Sequence, residues 1–540
     1  MIQPRLRWLI LPVLAMLVTV GFYRQLLGPR GFESDDRAFY LRVTQYQKEI
    51  RNGHWPQTLP DALGGGGHAF PRFYPPVSHL AAAGMSALVG DAVLGAHLSV
   101  FLATLLSVAL MGVLVRRLTR SSLAVFVSML LFASFPYRFV LLYVRGAFAE
   151  AWSLAMLPLV ALGAVACVKD GRPPRWWPVA IALLILSHTV MTAWVLPVLL
   201  GVVGFAAPHS TRRSFLRAAS LMTIWSFGLA AFYLVPMAVH LPSVRANSAE
   251  IMWALPEDLA RSSAAAYLGL HVEAVAWGLL GLSVVVLVGL VRAARRGGFA
   301  DRLMWGALAA VLLYAAVMVA PETFWQFTPL PLRMIQFPFR LFGPIAFGGA
   351  LAVGVLVGMY HRRWLQVGWA LLACLFVVTG WHGGGIGVAR PILGKDLPAL
   401  LSGEYRYRSL TVVGEFLPIG TAPVALADAV HRTREDIGSG ALESWTETKD
   451  GFQATIVTDR KRVVDMPLVY YDFLDVRDAN KGRVDAASHD GLLSVQADSG
   501  KTELLIRRRL PFSLKIGFLI SLSATVLLIV PRRWMRLSHP

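Results

Sequence analysis

The chain has 540 residues, 56% of them hydrophobic and only 15% charged, and its mean hydropathy is +0.57. Those values exclude an ordinary soluble domain and make lipid the main solvent. A net charge of +19 would suit nucleic acid, but the basic residues sit at the ends of apolar segments, as in a membrane protein, so no nucleic-acid partner is expected.

Apolar stretches of roughly 17 to 25 residues cross the hydrocarbon core as helices, because a helix satisfies its own backbone hydrogen bonds. Twelve are predicted. The first, 8–27, follows Arg5 and Arg7 with no small-residue cleavage site after it, so it reads as an uncleaved anchor that enters with its N-terminus inside. The next cover 92–115, 121–142 and 151–168, then a close pair across 178–207 that turns around His188. Further spans cover 218–240, 272–291, 303–320, 341–359, 364–381 and 512–530. The only cysteines, Cys167 and Cys374, lie inside apolar runs, which leaves no disulfide framework and no cysteine metal site.

Orientation follows Lys and Arg in short loops. The loops assigned to the inside hold Arg116, Arg117, Arg120, Arg212, Arg213, Arg217, Arg292, Arg295 and Arg296, opposed only by Asp170 and Asp301. The short outer turns mix Arg138, Arg145, Arg245, Arg261, Arg333 and Arg340 with Glu150, Glu250, Glu257, Asp258 and Glu322. This pattern predicts a multi-pass membrane protein with both termini cytoplasmic and its two long segments, 28–78 and 383–511, on the extracytoplasmic side, where function is expected.

Three units follow: a membrane domain over 1–382, with a first extracytoplasmic loop at 28–78; an extracytoplasmic domain over 383–511; and a last helix with a basic tail over 512–540. Residues 77–90 are apolar but too short to cross, and predict an interfacial or re-entrant helix. In the second unit short strand-like runs at 410–416, 452–457, 463–471, 492–497 and 503–508 alternate with turn residues such as Lys449-Asp450-Gly451 and Asp490-Gly491. They predict a small antiparallel β-sandwich.

Chemistry is most concentrated in the first loop, where Glu33, Asp35 and Asp36 lie within four residues, close behind a span. A carboxylate there can act as general base toward an acceptor hydroxyl, or hold a divalent cation that neutralises a phosphate leaving group; the plainer alternative is a solvated loop. Gly64 to Gly67 lack the Gly-Lys-Ser/Thr of a phosphate loop and read as a flexible stretch. Arg145, Glu150, His188 and Arg340 fall where outer helix ends converge. Ionisable groups at membrane depth are expensive and often functional, and an arginine there can clamp a phosphate through its planar fork. Their structural alternative is helix-end snorkelling or an Arg145 to Glu150 ion pair. No Ser/His/Asp arrangement, zinc spacing or dinucleotide fingerprint is present, so no soluble cofactor is indicated.

Five segments together carry a family likeness: Asp35-Asp36, Asn52-Gly53-His54-Trp55-Pro56, Phe73-Tyr74-Pro75-Pro76, Arg145-Gly146-Ala147-Phe148-Ala149-Glu150 and Phe337-Pro338-Phe339-Arg340. The chain resembles the GT-C superfamily of membrane glycosyltransferases and, more narrowly, the YfhO-like and 6-pyruvoyl-tetrahydropterin synthase-related bacterial membrane proteins, a label that implies no pterin chemistry. Relatives often place a histidine shortly after the acidic residue, where this chain has Phe39 and Tyr40. The resemblance implies an α-helical polytopic GT-C-like fold with a C-terminal β-sandwich-like domain. It implies sugar transfer from a polyprenyl-phosphate donor to an envelope glycan, lipid or protein. Asp36 would then lead, with Asp35 its partner and Glu33 a substitute; Arg340 and Arg145 would hold the donor phosphate, and Tyr74, Glu150 and His188 would line the cavity. A lipid-linked glycan transporter or flippase would use the same basic cavity without bond transfer, although the paired inverted repeats that would favour it are not visible, and a catalytically silent scaffold would bind partners through its outer β domain.

Overall fold

The computed structural model describes residues 4–28, 38–56, 58–59, 61–247, 255–261, 272–359, 368, 417–418, 421, 423–448, 451–507 and 511–529. The predicted strand at 410–416 and, apart from residue 368, the predicted span at 364–381 lie outside them. Helix α1 (Pro4–Tyr23) is followed by α2 (Ala38–Arg51), α3 (Val77–Val89) and α4 (Ala92–Leu118). With 13 residues α3 is about 20 Å long, too short to cross a membrane, which fits the predicted interfacial or re-entrant element. It stops at Gly90, in the left-handed conformation, and Asp91 then caps α4 by accepting the Leu94 N–H at 2.6 Å. The two helices touch closely: a Cβ on Gly95 would fall 2.3 Å from the backbone of Ser86.

Two predicted spans are bent. The stretch expected as one helix over 121–142 is α5 (Ser122–Ser134), a turn at Pro136–Phe139 and a π-helical segment at Val140–Val144, with a 47° bend. The cause is Pro136, which disfavours helical geometry at Phe135; that residue sits at ψ 125°. After α6 (Phe148–Asp170) comes the expected close pair, α7 (Trp177–Ser187) and α8 (Thr189–Ala206), turning at His188. The span expected at 218–240 divides into α9 (His209–Leu229) and α10 (Ala231–His240), bent by 72°. Then follow α11 (Val272–Arg296), α12 (Phe299–Met318) and α13 (Phe342–Met359). Among the described residues six helices are long and apolar enough to cross a membrane, or eight if each bent pair is one span, so the expected twelve are not reached there.

The β domain opens with α14 (Pro423–Glu435) and contains β1 (Leu442–Thr448), β2 (Gly451–Thr458), β3 (Arg462–Val469), β4 (Asp475–Asp478), β5 (Gly482–Arg483), β6 (Ala486–His489), β7 (Leu492–Ala497) and β8 (Gly500–Arg507). These form two antiparallel sheets, in the orders β1-β2-β8-β4-β5 and β3-β7-β6. Alternation buries Phe452, Ala454, Ile456, Leu504 and Ile506 of one sheet against Val464, Met466, Leu468, Leu493 and Val495 of the other. Asp490 and Gly491, both at positive φ, make the two-residue turn that sets His489 opposite Leu492. Helix α15 (Phe512–Ile529) then returns to the bundle against α10.

The sandwich is docked on the first loop. Its Tyr471, Phe473 and Leu492 belong to the core of the membrane bundle rather than to that of the sandwich. The Val469 N–H donates to the Gly66 carbonyl at 2.7 Å, the Ala69 N–H to the Tyr471 hydroxyl at 3.1 Å, and an Arg434 Nη to the Gly65 carbonyl at 3.2 Å. The Arg72 guanidinium lies 3.6 Å over the Phe473 ring. The expected flexible tetraglycine is therefore a docking surface: a Cβ on Gly65, at φ 93°, would land 2.3 Å from the Arg434 guanidinium. At the opposite end of the bundle Arg117 bridges to Asp170, and Lys169 donates to the Arg117 carbonyl.

Candidate functional site

Three breaks in regular helix bring the charged residues together at the β-domain end of the bundle. The π-helical segment ends at Arg145, and Gly146, at φ 60°, reverses the chain so that Glu150 enters the first turn of α6. Gln336, a non-glycine at φ 63°, turns the chain into Phe337-Pro338, and the 3₁₀ turn Pro338–Leu341 presents Arg340 just before α13. His188 breaks the α7–α8 pair and caps α8, its Nδ1 accepting the Met191 N–H at 3.3 Å.

The Glu150 carboxylate, 1% exposed, is the centre of the cluster. Arg145 Nη1 lies 2.9 Å from its Oε2, and Arg340 Nε lies 3.7 Å from the same oxygen. Tyr137 donates to Oε1 at 2.6 Å and accepts from Arg145 Nη1 at 2.8 Å. Arg340 also donates to the Ile335 carbonyl at 3.0 Å, and the stacked Phe337 and Phe339 rings lie beneath the two guanidiniums, 5.2 Å from Arg340 and 5.1 Å from Arg145. His188 is an electrostatic neighbour of Glu150 and both arginines. Among the described residues one carboxylate faces two guanidiniums, which leaves a positive charge in excess there, and Arg340 Nε has no hydrogen-bond partner among them. Such an arrangement can take an anion with planar, paired contacts.

Tyr74, in the first loop, is an electrostatic neighbour of Arg340. It stacks on Phe70 at 4.6 Å and meets the His79 ring edge-on at 5.5 Å. His79 also packs on Phe39 at 4.5 Å and on Tyr46 at 5.2 Å. Burial, and then the Arg42 guanidinium, hold the His79 imidazole well below its ordinary pKa. Nearby, burial pushes Arg72 down to about 10 against the opposing pull of Asp472. Tyr233 of α10 donates to the Phe73 carbonyl at 2.9 Å, and its other side lines a cleft with Trp55, Arg72, Phe232 and Leu514.

The structure thus brings together Arg145, Glu150, His188, Arg340 and Tyr74. Glu33, Asp35 and Asp36 lie outside the described residues. On the flanks of that acidic stretch, the His97 ring of α4 meets the Gly28 carbonyl at 3.0 Å with Nδ1 and the Tyr40 hydroxyl at 2.7 Å with Nε2. Phe39 and Tyr40, which follow that stretch, thus meet histidines supplied by α3 and α4, Phe39 the His79 ring and Tyr40 the His97 ring. No group of three or more His, Cys, Asp or Glu able to hold a metal occurs among the described residues.

Tyr137 is a member the sequence reading missed; its only signal is a polar Tyr137-Arg138 pair after Pro136 inside an apolar run. Arg138, assigned from sequence to a short outer turn, is 3% exposed inside the bundle, donating to Ser107 Oγ at 2.8 Å and lying 4.4 Å over Phe132.

A family profile described as the 6-pyruvoyl-tetrahydropterin synthase related domain, a membrane protein, matches residues 71–382. Among solved structures the chain is similar to the arabinofuranosyltransferase AftD from Mycobacteria, at 14% identity over 72% of this chain and 27% of that one, with a TM-score of 0.41. It is also similar to the Archaeoglobus fulgidus oligosaccharyltransferase, at 13% identity over 79% and 58% of the two chains, with a TM-score of 0.43. A third is ArnT from Cupriavidus metallidurans bound to undecaprenyl phosphate, at 14% identity over 78% and 72%, with a TM-score of 0.37. The chain spans less than two thirds of the first two. No curated protein matches it.

Proposed function

We propose, for a chain that belongs to the 6-pyruvoyl-tetrahydropterin synthase-related family of membrane proteins, that it is an integral membrane glycosyltransferase. It would move a sugar from a polyprenyl-phosphate donor to an envelope glycan, lipid or protein on the extracytoplasmic face of the bacterial inner membrane. The observation that carries this reading is the convergence of Arg145 and Arg340, from distant segments, on one buried carboxylate, with a positive charge in excess among the described residues. An intramembrane cation cluster of that kind suits a phosphate held at the end of a lipid chain.

In this reading Arg340 and Arg145 hold the donor phosphate, and the acceptor hydroxyl gives its proton to Asp36 as its oxygen bonds to the anomeric carbon. The bond from that carbon to the phosphate oxygen breaks, and polyprenyl phosphate leaves with the electron pair, its charge met by the arginines. Asp35 supports Asp36, and Glu33 is the next carboxylate in line. The three are also the candidates for a divalent cation that would neutralise the leaving phosphate.

The test is Asp36→Asn in a defined polyprenyl-phosphate-sugar assay, with envelope glycan analysis of a deletion strain complemented by either form. Asn keeps the shape and loses the charge, so transfer should fall roughly 100-fold to 10,000-fold at unchanged expression and thermal stability. Full transfer by the Asp35→Asn, Asp36→Asn double variant would remove these carboxylates from the chemistry.

A further inference from the structure

Next to Tyr74 lie two buried polar groups without a hydrogen-bond partner among the described residues. Tyr46 of α2 is 1% exposed and His79 of α3 is 0% exposed, and their rings stack with centroids 5.2 Å apart and an angle of 23°. The Tyr46 hydroxyl and His79 Nε2 both lack a hydrogen-bond partner among the described residues. The other imidazole nitrogen is accounted for, since His79 Nδ1 lies 3.3 Å from Ser78 Oγ. A buried hydroxyl or ring nitrogen without a partner is a loss that cores ordinarily avoid, and where one persists it calls for a specific reason. Here two persist in one stacked pair.

Their position suggests the reason. Tyr74 is in edge contact with His79 and is an electrostatic neighbour of Tyr46, of Tyr233 and of Arg340. Phe39 joins the pair to the arginine cluster, packing on His79 at 4.5 Å and on Phe148, two residues before Glu150, at 4.8 Å. Aromatic rings surround the pair: Phe39 and Tyr74 both meet His79, and Phe70 stacks on Tyr74. Neutral hydrogen-bonding groups combined with aromatic rings match a polyhydroxylated ring better than a second anion, and the Phe39 and Phe148 rings set that ring on the side of the arginine cluster. Tyr74 is partly exposed where Tyr46 and His79 are not, so it is the side chain that must turn aside to admit a ligand.

We propose that Tyr46 and His79 form the sugar subsite of the donor, hydrogen-bonding the hydroxyls of a hexose or pentose whose phosphate is held at Arg340. The proposal rests on the reading of Arg340 as the donor-phosphate residue. Tyr46 and His79 are placed as binding residues, with no part in proton transfer.

The experiment measures binding of undecaprenyl phosphate, bare or carrying mannose, glucose or arabinose, to full-length protein in lipid nanodiscs, alongside thermal stability without ligand. The native protein should bind at least one sugar-bearing lipid more tightly than the bare one. Tyr46→Phe removes a hydroxyl with no partner, so the ligand-free protein should be as stable as native or more so. Its affinity for the preferred sugar-bearing lipid should drop roughly 3-fold to 10-fold, the loss of one hydrogen bond, while affinity for bare undecaprenyl phosphate stays within about 2-fold. His79→Asn, which keeps a polar group facing Ser78 and loses Nε2, should show the same split between the lipids. Equal affinity of the native protein for bare and sugar-bearing lipids, or native-like discrimination by both variants, would overturn the sugar subsite and leave the phosphate reading standing. Failure of the native protein to bind any of the lipids, or unchanged affinity of Arg340→Lys for the bare one, would overturn the phosphate reading and this inference with it.

Discussion

Glu150→Gln is the perturbation that bears most directly on the cluster. Its carboxylate lies 2.9 Å from Arg145 Nη1 and 3.7 Å from Arg340 Nε. At an effective dielectric of about 20, Coulomb attraction at those distances is about 6 kcal/mol for the first pair and about 4.5 kcal/mol for the second, before the opposing cost of desolvation. Gln preserves the shape and retains an oxygen for Tyr137, so what is lost is the charge that the two buried guanidiniums share. Removing one partner of a buried ion pair typically destabilises by about 3–5 kcal/mol. The assay is a denaturant or thermal unfolding series in one lipid composition, run as two double-mutant cycles that pair Glu150→Gln with Arg145→Met and with Arg340→Met. The Arg145 cycle should give the larger coupling, because that pair is both shorter and hydrogen-bonded. Each double variant should recover part of the loss by removing one stranded charge. Native stability of Glu150→Gln, or a larger coupling to Arg340 than to Arg145, would refute the electrostatic account.

Arg340→Lys should weaken binding of undecaprenyl phosphate by about 10-fold or more, whereas Arg536→Lys should not, because an ammonium cannot reproduce paired guanidinium contacts; equal affinities in a lipid-binding assay would remove Arg340 from the site. Reporters fused after Arg120, Arg217 and Arg296 should be cytoplasmic and those near Asp61 and Ser439 extracytoplasmic. Because the sandwich docks on the first loop, the last two must report the same side, and a split between them would contradict the docked arrangement. In the sandwich, His489 lies 3.0 Å from Asp465, whose carboxylate raises the imidazole pKa above its ordinary value. A raised folded-state pKa means that the pair's contribution is fully present below pH of about 6.5 and is lost as pH rises through the raised value. His489→Gln should therefore abolish that part of the pH dependence of thermal stability, and an unchanged dependence would exclude the pair as its source.

Much of this molecule is written in local sequence. Length and apolarity are enough to mark α4, α6 and α8 as helices at membrane depth, because a lipid-exposed backbone has few alternatives. Two-residue alternation and Asp490-Gly491 likewise mark β2, β3, β7 and β8, since inward-facing positions and a positive-φ turn are properties of neighbouring residues. β1 was not legible: only Leu442 and Trp445 along it are more than slightly buried, so the alternation is too weak to read. The bends at Phe135 and Ala230 escaped hydropathy because a window of apolar residues scores alike whether the helix is straight or broken. The candidates Arg145, Glu150, His188 and Arg340 were legible one at a time, as costly residues at the ends of apolar runs. Their convergence was not, because it depends on how the π-helical segment, the His188 break and the turn at Gln336 aim side chains from distant parts of the chain. Tyr137 joined the cluster, Arg138 moved from a presumed turn into the bundle, and the tetraglycine became a docking surface for the same reason. Sequence determines which residues are expensive to bury, whereas only the packing of the whole chain decides which partners offset that expense.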